Sequence, residues 1–80
     1  MNEAEIKKAI ENKVITYSLW TIGITDDPDR RKGEQDNPKH WSQWKADTES
    51  IARSVEKYFL DKGMKGATGG GEHPNWVYVF

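Results

Sequence analysis

The chain contains no cysteine, which excludes disulfides and zinc–thiolate centres as sources of stability. No apolar run approaches the roughly 18 residues of a membrane-spanning helix, and the acidic start lacks a secretory-signal pattern. An excess of one charge is missing as well: 12 Lys and Arg stand against 13 Asp and Glu, for a net charge of −1. Affinity for polyanions comes largely from many basic phosphate contacts. The balance therefore excludes a binder that works by bulk charge, though not a local basic patch. These absences predict a soluble, cytoplasmic monomer with no membrane partner.

What is present is aromatic. Four Trp, three Tyr and two Phe occur in 80 residues, and each such side chain buries roughly 150–250 Å². A domain of this size buries only about 60% of its unfolded surface, so the aromatics are needed first for the core. One domain, 1–80, is expected.

Residues 2–12 predict a helix with Asn2 as cap, Glu3 and Glu5 in the first turn, and Ala4, Ile6, Ala9 and Ile10 as a narrow apolar stripe. Residues 14–25 are β-rich, with apolar groups on both faces, and predict a central strand. Gly23 within it marks a bulge or a close backbone approach. Asp27 caps a short helix with Pro28 at its first position. The run 41–46 suits either a strand or a helical turn, and a strand is favoured. Residues 48–62 form the clearest element: Thr48 or Asp47 as cap, Ile51, Val55 and Phe59 at i, i+4 and i+8, an i, i+4 pair Glu49–Arg53, and Gly63 past the end. Residues 63–75 read as a flexible, Gly-rich connector, and 76–80 as a closing strand. The expected fold is α+β, a mainly antiparallel three-stranded sheet (14–25, 41–46, 76–80) packed by the N-terminal helix and helix 48–62.

The most informative stretch is Trp20 to Gln35, WTIGITDDPDRRKGEQ. A strand ends near Gly23, an acidic turn follows, and Arg30, Arg31 and Lys32 come on the next helical start. Arginine suits a phosphate because its planar fork donates two parallel hydrogen bonds and keeps its charge. The plainer alternative is that Arg30 and Arg31 pair with Asp26, Asp27 or Asp29. Arg30, Arg31, Lys32 and Lys39 are the candidate nucleic-acid contacts. On helix 48–62, Glu56 shares a ridge with Ala52 and Leu60 at the edge of the apolar stripe. It is either a functional carboxylate or a boundary residue bridged to Arg53. Trp41, Trp44 and Trp76 are core residues or stacking surfaces for bases. His40 and His73 have no neighbour at metal-ligand spacing, and the glycine run 69–71 lacks the context of a phosphate-binding loop.

Thr-Ile-Gly at 21–23, Arg31 eight residues after Gly23, and the run ADTESIARSVEKYFLDKG at 46–63 together resemble the GIY-YIG nuclease module over about residues 20–63. The resemblance implies a nucleic-acid partner, DNA or RNA, with Arg31 on a phosphate and Glu56 as ligand to a divalent cation such as Mg²⁺. The family places tyrosines in Gly-Ile-Tyr and Tyr-Ile-Gly strands. Here Thr21 replaces the second, a helix occupies the place of the first strand, and Gln35 stands where a histidine usually follows the arginine. Two residues are candidates for the tyrosine role. Tyr17 would share the strand face of Thr21, and Tyr78 would serve if the strand 77–79 pairs beside 20–25, as in a circular permutation. Three readings follow: a nucleic-acid-binding domain with weak or absent cleavage, a nonenzymatic protein-interaction module, or an active nuclease using Tyr78 or Tyr17.

Overall fold

The computed structural model describes residues 1–67 and 71–80. Its first element, α1 (Glu3–Lys13), begins as its residues dictate. The Asn2 side chain accepts from the Glu5 N–H at 2.8 Å, and the Glu5 carboxylate accepts from the Asn2 N–H at 2.9 Å. This reciprocal pair satisfies two of the donors that a helix start leaves free. Of the expected stripe, Ile6 and Ile10 are buried.

The strand predicted over 14–25 is shorter than expected. Only Thr21–Thr25 forms β1. Val14 instead closes α1, its N–H donating to the Ile10 carbonyl at 2.8 Å, and its side chain joins the core. Tyr17–Leu19 then make a 3-10 turn in which the Trp20 N–H donates to the Tyr17 carbonyl at 3.0 Å. Apolar residues of both parities in 14–20 gave periodicity nothing to discriminate. The turn resolves this by leaving Ile15 93% and Leu19 74% exposed.

The remaining elements are α2 (Pro28–Glu34), β2 (Ser42–Lys45), α3 (Glu49–Asp61), β3 (Lys65–Gly66) and β4 (Trp76–Val79). The expected caps are present: Asp27 accepts from the Arg30 N–H at 3.1 Å, and Thr48 from the Ile51 N–H at 3.1 Å. The Glu49–Arg53 pair forms at 2.7 Å.

The sheet has four strands, in the order β2-β4-β1-β3, and is mixed, which corrects the three-stranded antiparallel expectation. β4 runs antiparallel to both neighbours, with Gly23 and Gln43 opposite Tyr78. The pairing of 77–79 beside 20–25 is therefore present. β3 pairs in parallel with β1 through Lys65 N–H to the Trp20 carbonyl and Ala67 N–H to the Ile22 carbonyl, both 2.9 Å. It lies inside the segment read as a connector. Two residues, one of them glycine, carry no alternation from which a strand can be read.

The two parallel crossovers decide which face each helix covers. β1–α2–β2 moves across the sheet one way and β2–α3–β3 moves back. Since such connections are right-handed, α2 and α3 lie on opposite faces. Ile22, Ile24, Val77 and Val79 meet α1 and α3 through Ile6, Ile10, Ala52, Val55 and Phe59 in one core. The other face carries Gly23, Gln43, Tyr78 and Phe80, with the seven-residue α2 the helix beside it among the described residues. No helix among the described residues is long and apolar enough to cross a membrane.

Candidate phosphate site over Gly23

Arg31 is set by a rigid junction. The buried Thr25 hydroxyl accepts from the Asp27 N–H at 3.0 Å, Asp27 caps α2, and the Arg31 N–H donates to the Asp27 carbonyl at 3.1 Å. The Arg31 side chain is only 14% exposed, and its Nη1 lies 3.2 Å from Glu34 Oε1. Its Nε is buried with no hydrogen-bond partner. Arg30 does take the plainer role, donating through Nη2 to Asp26 Oδ1 at 3.2 Å. Arg31 forms no pair with Asp26, Asp27 or Asp29, since its carboxylate partner is Glu34.

Tyr78 is fully buried on β4, and its ring crosses Gly23 so closely that a Cβ there would overlap the ring and its hydroxyl. Trp41 packs on it with ring centres 4.4 Å apart, and Phe80 lies at 6.0 Å. The hydroxyl has no hydrogen-bond partner among the described residues. Burial raises its pKa; the Arg31 charge draws it back, while those of Glu56 and Glu34 raise it further. Arg31, Glu34 and Glu56 therefore all act on one phenol.

Glu56 stands on α3. Along its edge of α3, Leu60 lies against Gly66 of β3, and Glu49 lies 3.5 Å from His73 Nδ1. Glu56 is half-buried on the same helix. Burial raises its pKa, opposed by the charge of Arg53. Arg53 itself donates to Glu49, so the bridge expected between Glu56 and Arg53 is absent.

The other candidates separate. Tyr17 is not on β1, because the 3-10 turn lifts it out of the strand; its ring packs on Phe59 at 5.8 Å, within the helix-side core. Lys32 is half-buried in the last turn of α2, and Lys39 is exposed in the loop before β2. Trp44 packs against the core and Trp41 against Tyr78, as strand alternation requires. Sequence reasoning missed Glu34 as the partner of Arg31. Its i+3 spacing on a helix was the available sign.

Glu56 fits one part of a divalent-cation site. It is a half-buried carboxylate whose charge is disfavoured and which pairs with no cation among the described residues. No group of three or more His, Cys, Asp or Glu that could hold a metal occurs among the described residues. Phosphate oxygens and water would have to complete the shell, as Mg²⁺ commonly requires. No family model, curated protein or solved structure matches this chain significantly.

Proposed function

We propose that this chain is a nucleic-acid-binding domain of GIY-YIG-like design, permuted so that β4 supplies the tyrosine strand, and that it hydrolyses phosphodiesters slowly. The observation that carries the reading is the buried Tyr78 hydroxyl, on the ring that crosses Gly23, with no hydrogen-bond partner among the described residues. Unsatisfied buried polar atoms cost stability, and a site that binds substrate gives them a partner.

In this reading Arg31 donates to a phosphate oxygen from Nε and Nη, the buried Nε finding its partner there. Glu56 would be the protein ligand of a divalent cation, which would supply charge neutralisation at the phosphate. Tyr78 stays protonated at neutral pH because its pKa is raised. It therefore orients the attacking water by hydrogen bonding rather than removing its proton as a phenolate. The water oxygen forms the new bond to phosphorus as a water proton passes to solvent, the bond to the leaving sugar oxygen breaks, and that oxygen takes a proton from solvent to leave as the alcohol. Slow turnover is part of the proposal, since Thr21 and Gln35 replace groups that the resembled family uses.

Incubation of plasmid and labelled oligonucleotides with the protein, with Mg²⁺ or with chelator, tests this. Cation-dependent cleavage is expected, reduced by Arg31→Ala and by Glu56→Gln on the order of 10²-fold each, as for loss of a charge-stabilising group. Cleavage untouched by both substitutions sinks the assignment. So does the absence of both cleavage and binding at low salt.

A second reading, a protein-interaction module, draws on the exposed Ile15 and Leu19 beside β3. Sedimentation of the Ile15→Ser, Leu19→Ser double variant bears on it: association with other chains that matches the parent removes that support.

A further inference from the structure

The sheet face opposite α1 and α3 carries a row of aromatic side chains. Trp76, Tyr78 and Phe80 alternate along β4, and the register that sets Ser42 against Val79 brings Trp41 beside Phe80. Tyr78 is buried in the middle of the row, whereas Trp76, Phe80 and Trp41 keep part of their surface in solvent. Trp41 and Phe80 stack, with planes 16° apart and ring centres at 5.5 Å. The Trp41 Nε1 donates to Gln43 Oε1 at 2.8 Å, which fixes the orientation of the indole before any ligand arrives.

Charges near this row are of both signs, since Asp29 and Asp36, on and just after α2, form no ion pair among the described residues. Arg30 is held by Asp26, and Glu34 is taken up by Arg31. Lys45, opposite Trp76, and Lys32 and Lys39, which flank the loop into β2, form no ion pair among the described residues. The site over Gly23 thus lies within an aromatic row, with Trp76 about 7 Å to one side of Tyr78 at two residues along the strand. Trp41 stands on the other side. Intact duplex offers phosphates to such a face but keeps its bases stacked inside. A single strand offers both phosphates and ring faces.

We infer that the ligand of this face is single-stranded nucleic acid, with one base stacked on Trp41 and the adjoining phosphate on Arg31. The inference rests on the proposed nucleic-acid reading and narrows it to a substrate class: unpaired strands, flaps and frayed ends rather than continuous duplex. A preformed indole is an economical platform because little rotational freedom is left to lose when the base docks. Binding of single strands should also fall as salt rises, with a slope set by the few cations present.

Tryptophan fluorescence and nitrogen–proton correlation spectra, recorded as a short single-stranded oligonucleotide or its duplex is added at low salt, test the inference. The single strand is expected to bind about 10-fold or more tightly than the duplex, shifting the Trp41 indole resonance. Trp41→Leu keeps an apolar group against Tyr78 but removes the ring, and should weaken single-strand binding about 10-fold, within the range for one lost base stack. Trp41→Phe, which keeps a ring, should stay within about 3-fold of the parent, because every base stacks on any aromatic face. Duplex binding as tight as single-strand binding, or a Trp41→Leu variant equal to the parent, overturns the inference. If that binding still depends on Arg31, the broader reading survives. No response to either nucleic acid overturns both.

Discussion

Tyr78→Phe should abolish most cleavage while leaving the protein at least as stable as the parent. The substitution removes one oxygen from a fully buried ring and changes no packing atom. That oxygen has no hydrogen-bond partner, and an orphaned buried polar group costs roughly 1–3 kcal/mol. Its removal should raise stability on the order of 1 kcal/mol, which for a domain of this size moves the melting temperature by about 4–8 °C. The catalytic cost runs the other way. If the phenol positions the attacking water by hydrogen bonding, its loss should slow cleavage by about 10²- to 10³-fold, the range for removal of one preorganised hydrogen-bonding group. Thermal unfolding and cleavage assays on the same preparation read both effects. A destabilised variant would mean the hydroxyl is bonded in solution, and an unchanged rate would remove Tyr78 from the chemistry.

Gly23→Ala is expected to be costly for a reason its backbone alone does not supply. Its conformation is not the left-handed kind that only glycine tolerates. The difficulty is the Tyr78 ring, which occupies the space a Cβ would take. That ring cannot swing aside freely, because Trp41 is packed against it and it is wholly buried. Overpacking of this kind costs about 1–3 kcal/mol, a large part of the margin of a small domain. The same substitution in a Tyr78→Ala background should cost at least about 1 kcal/mol less, since the colliding ring is gone. Urea unfolding of the four proteins measures this coupling. Equal penalties in both backgrounds would show that the cost lies in the strand and not in the ring. The pair also explains why a glycine stands in the middle of β1. It is the seat on which the tyrosine ring and its hydroxyl lie.

The parts of this protein legible in its sequence are those whose partners lie within a few residues. The Asn2–Glu5 capping box, the Thr48 cap and the Asp27-Pro28 helix start each join groups about three positions apart. Their outcome depends little on the rest of the chain. The segment 14–20 was not legible, because its apolar residues fit either strand face equally well and tertiary packing of Val14 decided the matter. β3 escaped notice for another reason. A strand of two residues has no pattern of its own and exists because β1 offers it an edge. At the site, the eight-residue interval between Gly23 and Arg31 was visible, as was a close approach at Gly23. The 3-10 turn that removes Tyr17 from that face was not.

The sequence by itself determined the helices, their ends, the closing strand and the types of side chain available for chemistry, because each follows from short-range hydrogen bonding and local apolar period. Only the tertiary structure decided the order β2-β4-β1-β3, the passage of Tyr78 across Gly23, and the packing of Trp41 on that ring. Those depend on which distant strands pair and on the handedness of two crossovers running in opposite directions. No window of neighbouring residues contains that information.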